Sequence, residues 1–204
     1  TKVILLIFHE GAKEPQKYSI VREVIPIKSV KSKMLEEGYG YVRISTFQDK
    51  TNDDLQIALK KLESTNKEGL KGLVLDLRND PGGLLHEAVK VADIFLESGV
   101  IVSIQGRTKE QNQKFLAHPN KEPHTYPLVV LVNEGSASAS EIVAGALQDQ
   151  KRAIILGTQT FGKGSVQTII PLEDNSGIKL TTARYFTPSG RSIQAKGITP
   201  DILI

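Results

Sequence analysis

Twice along this chain a short apolar run closes on a loop of small and polar residues and then passes directly into a helical pattern. Leu70 to Leu77 ends in Arg78-Asn79-Asp80-Pro81-Gly82-Gly83, after which Leu85, Ala88, Val89, Ala92, Phe95 and Leu96 keep helical spacing to about Ser98. Pro127 to Val132 ends in Asn133-Glu134-Gly135, and the segment Ser136 to Asp149 then carries Ile142, Val143, Ala146 and Leu147 on one helical face. Buried-type strands that alternate with helices predict α/β layers with the helices covering a sheet. No repeat of fixed period is present.

The remaining elements fit that frame. Tyr39 to Ile44 alternates as a strand, and Thr51, with Asp53 and Asp54 behind it, opens a helix whose Leu55, Leu59 and Leu62 share a face. Further strands are expected at Val100 to Ile104, Ala153 to Leu156, Val166 to Ile170 and Lys179 to Phe186, with Gln105 to Tyr126 as a polar connection. The first thirty residues read as two strands, Lys2 to Phe8 and Tyr18 to Ile27, joined by the turn-rich Gly11-Ala12-Lys13-Glu14-Pro15. A strand so close to the first residue leads us to expect more chain upstream.

Composition removes several functions. There is no cysteine, so thiol catalysis, disulfides and cysteine-ligated zinc are excluded. The 26 basic and 23 acidic residues are scattered rather than clustered, which gives no nucleic-acid footprint. Lys60, Lys61, Lys67 and Lys71 bracket the end of a helix as a solvated face. No apolar stretch reaches the roughly 18 residues a membrane span needs. His9, His86, His118 and His124 show no metal-site spacing, and His86 alone is placed to serve as a base in a Ser-His-Asp arrangement.

Chemistry is expected where strands end, at Asp76 to Gly83, Asn133 to Glu141 and Gly157 to Gln167. Ser138 stands three residues before Glu141, the spacing of a capping box; the same position would set its hydroxyl beside free N–H groups at a helix N-terminus. Pro81-Gly82-Gly83 serves as a tight turn, or as a backbone open enough for Gly82 or Gly83 N–H to meet a substrate carbonyl alongside Ala139 N–H. Gly157 to Lys163 fits the first seven positions of a phosphate-binding loop. Gly164 then replaces the required hydroxyl, and a strand replaces the helix, which argues against a nucleotide. Phe161, Val166, Ile169 and Ile170 predict an apolar surround for Lys163, one that disfavours the ammonium and frees the amine to take a proton.

Taken together, four ordered segments resemble the C-terminal processing (tail-specific) serine peptidases. They are Val74 to Gly83, Ser136 to Glu141, Phe161-Gly162-Lys163-Gly164 with Gln167, and Tyr185 to Gln194. The resemblance runs from about Gly38 to Ile204. It implies a crotonase- or ClpP-like α/β core of mixed sheets and helices over 38–204, a linker and strand over 11–37, and the closing strand of a PDZ module over 1–10. It also implies a Ser-Lys dyad. By position Ser138 would be the nucleophile, since the family's serine lies 25 residues before its lysine, and Lys163 the general base. Gln167 would orient Lys163, and Gly83 and Ala139 would supply the oxyanion N–H groups. Asp149 matches an aspartate sometimes grouped with the dyad, but eleven helical residues set it roughly 16 Å from Ser138 along the axis, so a structural carboxylate near Lys151 and Arg152 is expected. Asp80 stands where the family often has asparagine.

The implied function is a serine endopeptidase acting near substrate C-termini through an acyl-enzyme, with no metal or cofactor. Implied partners are proteins or peptides with accessible C-terminal tails, with neither nucleic acid nor an integral membrane segment, and a homo-oligomer is left open. The implied setting is the cell envelope or periplasm. Loss of the PDZ groove would weaken cleavage or tail selectivity. A non-catalytic peptide-binding scaffold and a crotonase-type acyl-CoA enzyme are the alternatives; the first leaves the retained serine, lysine and glutamine unexplained, the second the Ser-Lys pair.

Overall fold

A hairpin, β1 (Lys2–Ile7) with β2 (Gln16–Val21), opens the chain in a computed structural model that describes residues 1–23, 28–65 and 69–204. Two further sheets make up the rest. Six strands, β3 (Val30–Glu36), β4 (Tyr39–Ile44), β5 (Gly72–Asp76), β8 (Leu128–Val132), β9 (Ile154–Gly157) and β12 (Ile202–Leu203), lie in the order β12-β9-β8-β5-β4-β3. All neighbours are parallel except the antiparallel pair β3 and β4. The other four, β6 (Val100–Gly106), β7 (Gln113–Leu116), β10 (Ser165–Pro171) and β11 (Gly177–Phe186), form an antiparallel sheet in the order β10-β11-β6-β7.

Among the described residues, three helices join these layers, α1 (Thr51–Thr65), α2 (Leu85–Phe95) and α3 (Ala139–Asp149). The central strand β8 is apolar along its length, and β5 is so up to the buried Asp76 at its end, because both faces of a parallel sheet are covered. Helix α3 is buried continuously from Ala139 to Leu147, as a helix must be when packed on several sides. Its Ile142, Val143, Ala146 and Leu147 join Leu75, Val130, Ile155 and Val91 in one core. The expected α/β architecture therefore holds.

The differences from expectation lie at the edges. Gln105 to Tyr126 is not one polar connection: it holds a 3₁₀ turn at Lys109–Gln111 and the edge strand β7, which pairs with β6. β3 and β12 also pair at sheet edges, where exposed positions break the apolar pattern that marks a strand in sequence. The second expected strand stops at Val21, and its last residues, with Lys67, lie outside the described residues. The β1–β2 hairpin exposes Ile4, Leu6, Phe8 and Val21. Among the described residues no helix is long and apolar enough to cross a membrane.

Candidate active site

Adjacent parallel strands β5 and β8 deliver two loops to the same end of the sheet, the usual location of sites in open α/β folds. The first loop is anchored at Asp76, which is fully buried. Its carboxylate accepts from Arg78 Nε at 2.9 Å and Nη2 at 2.8 Å, from Arg78 N at 3.0 Å and from Tyr41 Oη at 2.5 Å. Burial works to raise this carboxyl, but the bonds from Arg78 and Tyr41 outweigh it and hold it below the ordinary aspartate value. The second loop is tied to the first by a side-chain pair: Asn133 Nδ2 donates to Asn79 Oδ1 at 2.9 Å, and Asn79 N donates to Asn133 Oδ1 at 2.8 Å.

Ser138 sits as the N-cap of α3 with φ 57° and ψ −109°, a backbone conformation rare for any residue with a Cβ. Such strain persists only where the surroundings impose it. Gly82 presses on this turn from the other loop: a Cβ there would lie 2.6 Å from Ala137 O, 2.9 Å from Ala139 N and 2.9 Å from Ser138 Cβ. Gly83 is equally constrained, because a Cβ would meet Phe47 O at 2.1 Å. Both glycines are thus required by close approach.

The flanking serines are committed elsewhere. Ser136 Oγ donates to Leu77 O at 2.7 Å, Ser140 Oγ donates to Asp80 O at 3.0 Å, and both residues are fully buried. Ser138 is partly exposed. Gly82 N–H is also committed, donating to Asp80 Oδ1 at 2.8 Å. Among the described residues, no backbone acceptor takes the N–H of Gly83 or of Ala139. Of the candidate donors for an oxyanion, these two stay available.

Glu141 links the serine turn to the lysine loop. Its buried carboxylate accepts from Ser138 N at 2.7 Å, Thr160 Oγ1 at 2.6 Å, Gly162 N at 2.7 Å and Lys163 N at 2.9 Å. The capping box expected from Ser138-x-x-Glu141 is therefore half of a larger device. Behind it, Gly162 and Gly164 lie against the segment at 193–197; Ala195 N donates to Gly162 O at 2.8 Å, and Gly164 N donates to Gln194 Oε1 at 3.1 Å. This explains why the Tyr185 to Gln194 segment accompanies the lysine segment.

The side chains of Lys163 and Gln167 are exposed, and among the described residues neither is hydrogen-bonded to Ser138 or to the other. The apolar surround expected for Lys163 does not form. Phe161, in the loop before β10, is 68% exposed, and Ile169 on the edge strand β10 is 70% exposed. Gln167 stands at a bulge between β10 and β11.

Asp149 lies at the far end of α3. Its Oδ2 accepts from Ser189 N at 2.9 Å, and its Oδ1 pairs with Arg191 Nη2. Burial works to raise its carboxyl, but bonds from Thr187 and Ser189 and the Arg191 charge hold it below the ordinary value. A structural carboxylate was expected here; its partner is Arg191 rather than Lys151 or Arg152, since Arg152 turns to the carbonyls of His124 and Tyr126. Among the described residues no histidine is paired with a serine side chain. His9 lies by Tyr18, His86 by Glu87, His118 by Asp93, and His124 is partly buried with Glu63 and Tyr126. Among the described residues no group of side chains is arranged to hold a metal ion.

A strained serine on a helix N-terminus, pressed by a glycine loop at the ends of parallel strands, resembles the nucleophile turn of α/β serine hydrolases. The chain is a member of peptidase family S41, whose model matches residues 38–204. It is 53% identical over 207 residues to the carboxy-terminal-processing protease of Bartonella bacilliformis, covering 100% of this chain and 47% of that protein. To the carboxyl-terminal-processing protease of Synechocystis it is 41% identical over 209 residues, covering 100% and 48%. Among solved structures, the photosystem II D1 C-terminal processing protease matches with a TM-score of 0.78 at 37% identity, covering 100% of this chain and 55% of that one. The chain spans about half the length of these curated relatives. The family and the mixed α/β core inferred from the four segments are correct.

Proposed function

We propose that this chain is the catalytic core of a serine endopeptidase that cleaves protein substrates near their C-termini. Ser138 Oγ attacks the peptide carbonyl, Lys163 takes the hydroxyl proton and returns it to the leaving amine, and water releases the acyl-enzyme. Gly83 and Ala139 N–H groups receive the oxyanion, with Gln167 orienting the lysine. The observation that carries this reading is the shared carboxylate of Glu141, which binds the N–H of both Ser138 and Lys163.

The N-terminal hairpin then belongs to a PDZ module whose remainder recognises the substrate tail, in an extracytoplasmic enzyme. Any self-association lies outside this mechanism. The test is cleavage of an unstructured protein tail by wild type, Ser138→Ala and Lys163→Ala, each shown folded by circular dichroism. Losses of at least about a thousandfold are expected for both variants. A folded variant of either kind that kept its activity would refute the dyad.

A further inference from the structure

Asp80 is a buried acid directly under the oxyanion loop. Its side chain is fully buried, its Oδ1 accepts the Gly82 N–H at 2.8 Å, and among the described residues its Oδ2 has no hydrogen-bond partner. Its backbone carbonyl is bound as well, by Ala137 N at 2.9 Å and Ser140 Oγ at 3.0 Å. One residue therefore holds the glycine loop through its side chain and the serine turn through its main chain. The mechanism above gives it no role.

An ionised carboxylate with an unpartnered oxygen in such a place is costly, and a proton on Oδ2 removes the charge. The charged groups nearby are otherwise engaged. From β4, Arg43 faces Asp80 at a distance, but its guanidinium pairs with Asp76 at 3.5 Å and donates to Arg78 O at 3.1 Å. From α3, the Glu141 carboxylate is taken up by Ser138, Thr160, Gly162 and Lys163. The segment before α1 contributes only the neutral Thr46 hydroxyl, which donates to Gly82 O at 2.9 Å. Burial pushes the Asp80 carboxyl up to about 7, against the pull of the Gly82 N–H, the Ser140 hydroxyl and the Arg43 charge.

We propose that Asp80 is a positioning residue of the oxyanion loop that works in its neutral form, and that its ionisation turns peptide cleavage down. Neutral, it fixes Gly82 N–H, and so the direction of the adjacent Gly83 N–H, without adding charge. Ionised, it sets a negative charge one residue from a donor that must stabilise a developing anion, in a region where water screens poorly. The inference rests on the peptidase reading, with Gly83 as an oxyanion donor.

Asp80→Asn keeps the acceptor for Gly82 N–H and cannot ionise. The experiment follows the Gly82 and Gly83 amide resonances and kcat/KM on a tail peptide, in wild type and variant, from pH about 5.5 to 9. In wild type the amides are expected to titrate with a midpoint near 7, and in the variant to stay flat. The variant-to-wild-type ratio of kcat/KM is expected near one in acid and to rise to at least about fivefold in alkali. A merely structural Asp80 would give a ratio independent of pH. Flat wild-type amides, or titrating amides with a flat ratio, overturn the proposal. If the variant fails to fold, the wild type decides: the Gly83 amide must share one midpoint with the Asp80 carboxyl carbon, and a flat amide overturns the inference. Absence of cleavage by both proteins would count against the peptidase reading, while the amide titration still decides the coupling.

Discussion

Ser138 and Lys163 donate their backbone N–H groups to the same atom, Oε2 of Glu141, at 2.7 and 2.9 Å. Residues 25 positions apart are thereby held in a common frame through the main chain, whatever rotamer the lysine side chain adopts. A buried carboxylate with four donors is rigid, because moving any one strand of the frame leaves a charged acceptor or an N–H unsatisfied.

Glu141→Gln should show this. The amide puts an NH₂ against donors, losing at least one bond to a charged acceptor, for about 1.5–3 kcal/mol of stability. Activity should fall by about 10–100-fold in kcat, since small displacements of reacting groups are that costly. Denaturant unfolding and steady-state kinetics on the same sample check both. A variant destabilised by this amount yet fully active would show that the frame is structural only.

The φ of 57° at Ser138 makes a second prediction. Glycine adopts this conformation without strain, whereas alanine carries the same Cβ strain as serine, so Ser138→Gly should be more stable than Ser138→Ala by about 1 kcal/mol, although both lack the hydroxyl. Thermal or urea unfolding of the pair measures it. Equal stabilities would mean that the turn relaxes once the serine is gone.

Asp80 makes stability depend on pH in a stated direction. Its folded value of about 7 lies above the ordinary 3.8, so between these values the folded chain holds a proton that the unfolded chain releases. This group's contribution therefore favours folding most in acid and declines as pH rises through that window, by up to about 4 kcal/mol. Asp80→Asn should match wild type near the acid end and exceed it above pH about 7. Unfolding free energies at several pH values check the divergence.

Asp149 is bound to the Ser189–Arg191 turn, not to the serine. Asp149→Asn should thus lower the melting temperature by a few degrees, equivalent to about 1–3 kcal/mol, and leave measurable cleavage. Loss of activity as complete as that of Ser138→Ala, with the fold intact, would assign it a catalytic part instead.

Much of this was legible in sequence wherever a local pattern coincided with a tertiary demand. β5, α2, β8 and α3 announced themselves because apolar periodicity and covered layers agree. Gly82 and Gly83 were legible as a backbone needing space, though not that the space is taken by Ala137 and Phe47. Edge strands β3, β7 and β12 were hidden because exposed positions blur their alternation. The failed expectation at Lys163 has a related origin: Ile169 and Ile170 are apolar in sequence but lie exposed on the edge strand β10, and Phe161 is exposed in the loop before it. Glu141 was visible as a capping partner three residues after Ser138. Its bonds to Thr160, Gly162 and Lys163 cross about twenty residues of chain, and no local pattern encodes them. Arg78 beside Asp76 was close in sequence, yet the part played by Tyr41 depended on the pairing of β4 with β5.

The proposed mechanism makes Ser138 a nucleophile activated by Lys163. Its most direct test is mass spectrometry of the protein after treatment with a fluorophosphonate, comparing wild type with Lys163→Ala. One adduct is expected, on Ser138 and not on Ser136 or Ser140, with the rate of labelling reduced by at least about a hundredfold in the folded lysine variant. An adduct on another serine, or labelling of Ser138 that is indifferent to the loss of Lys163, would rule that mechanism out.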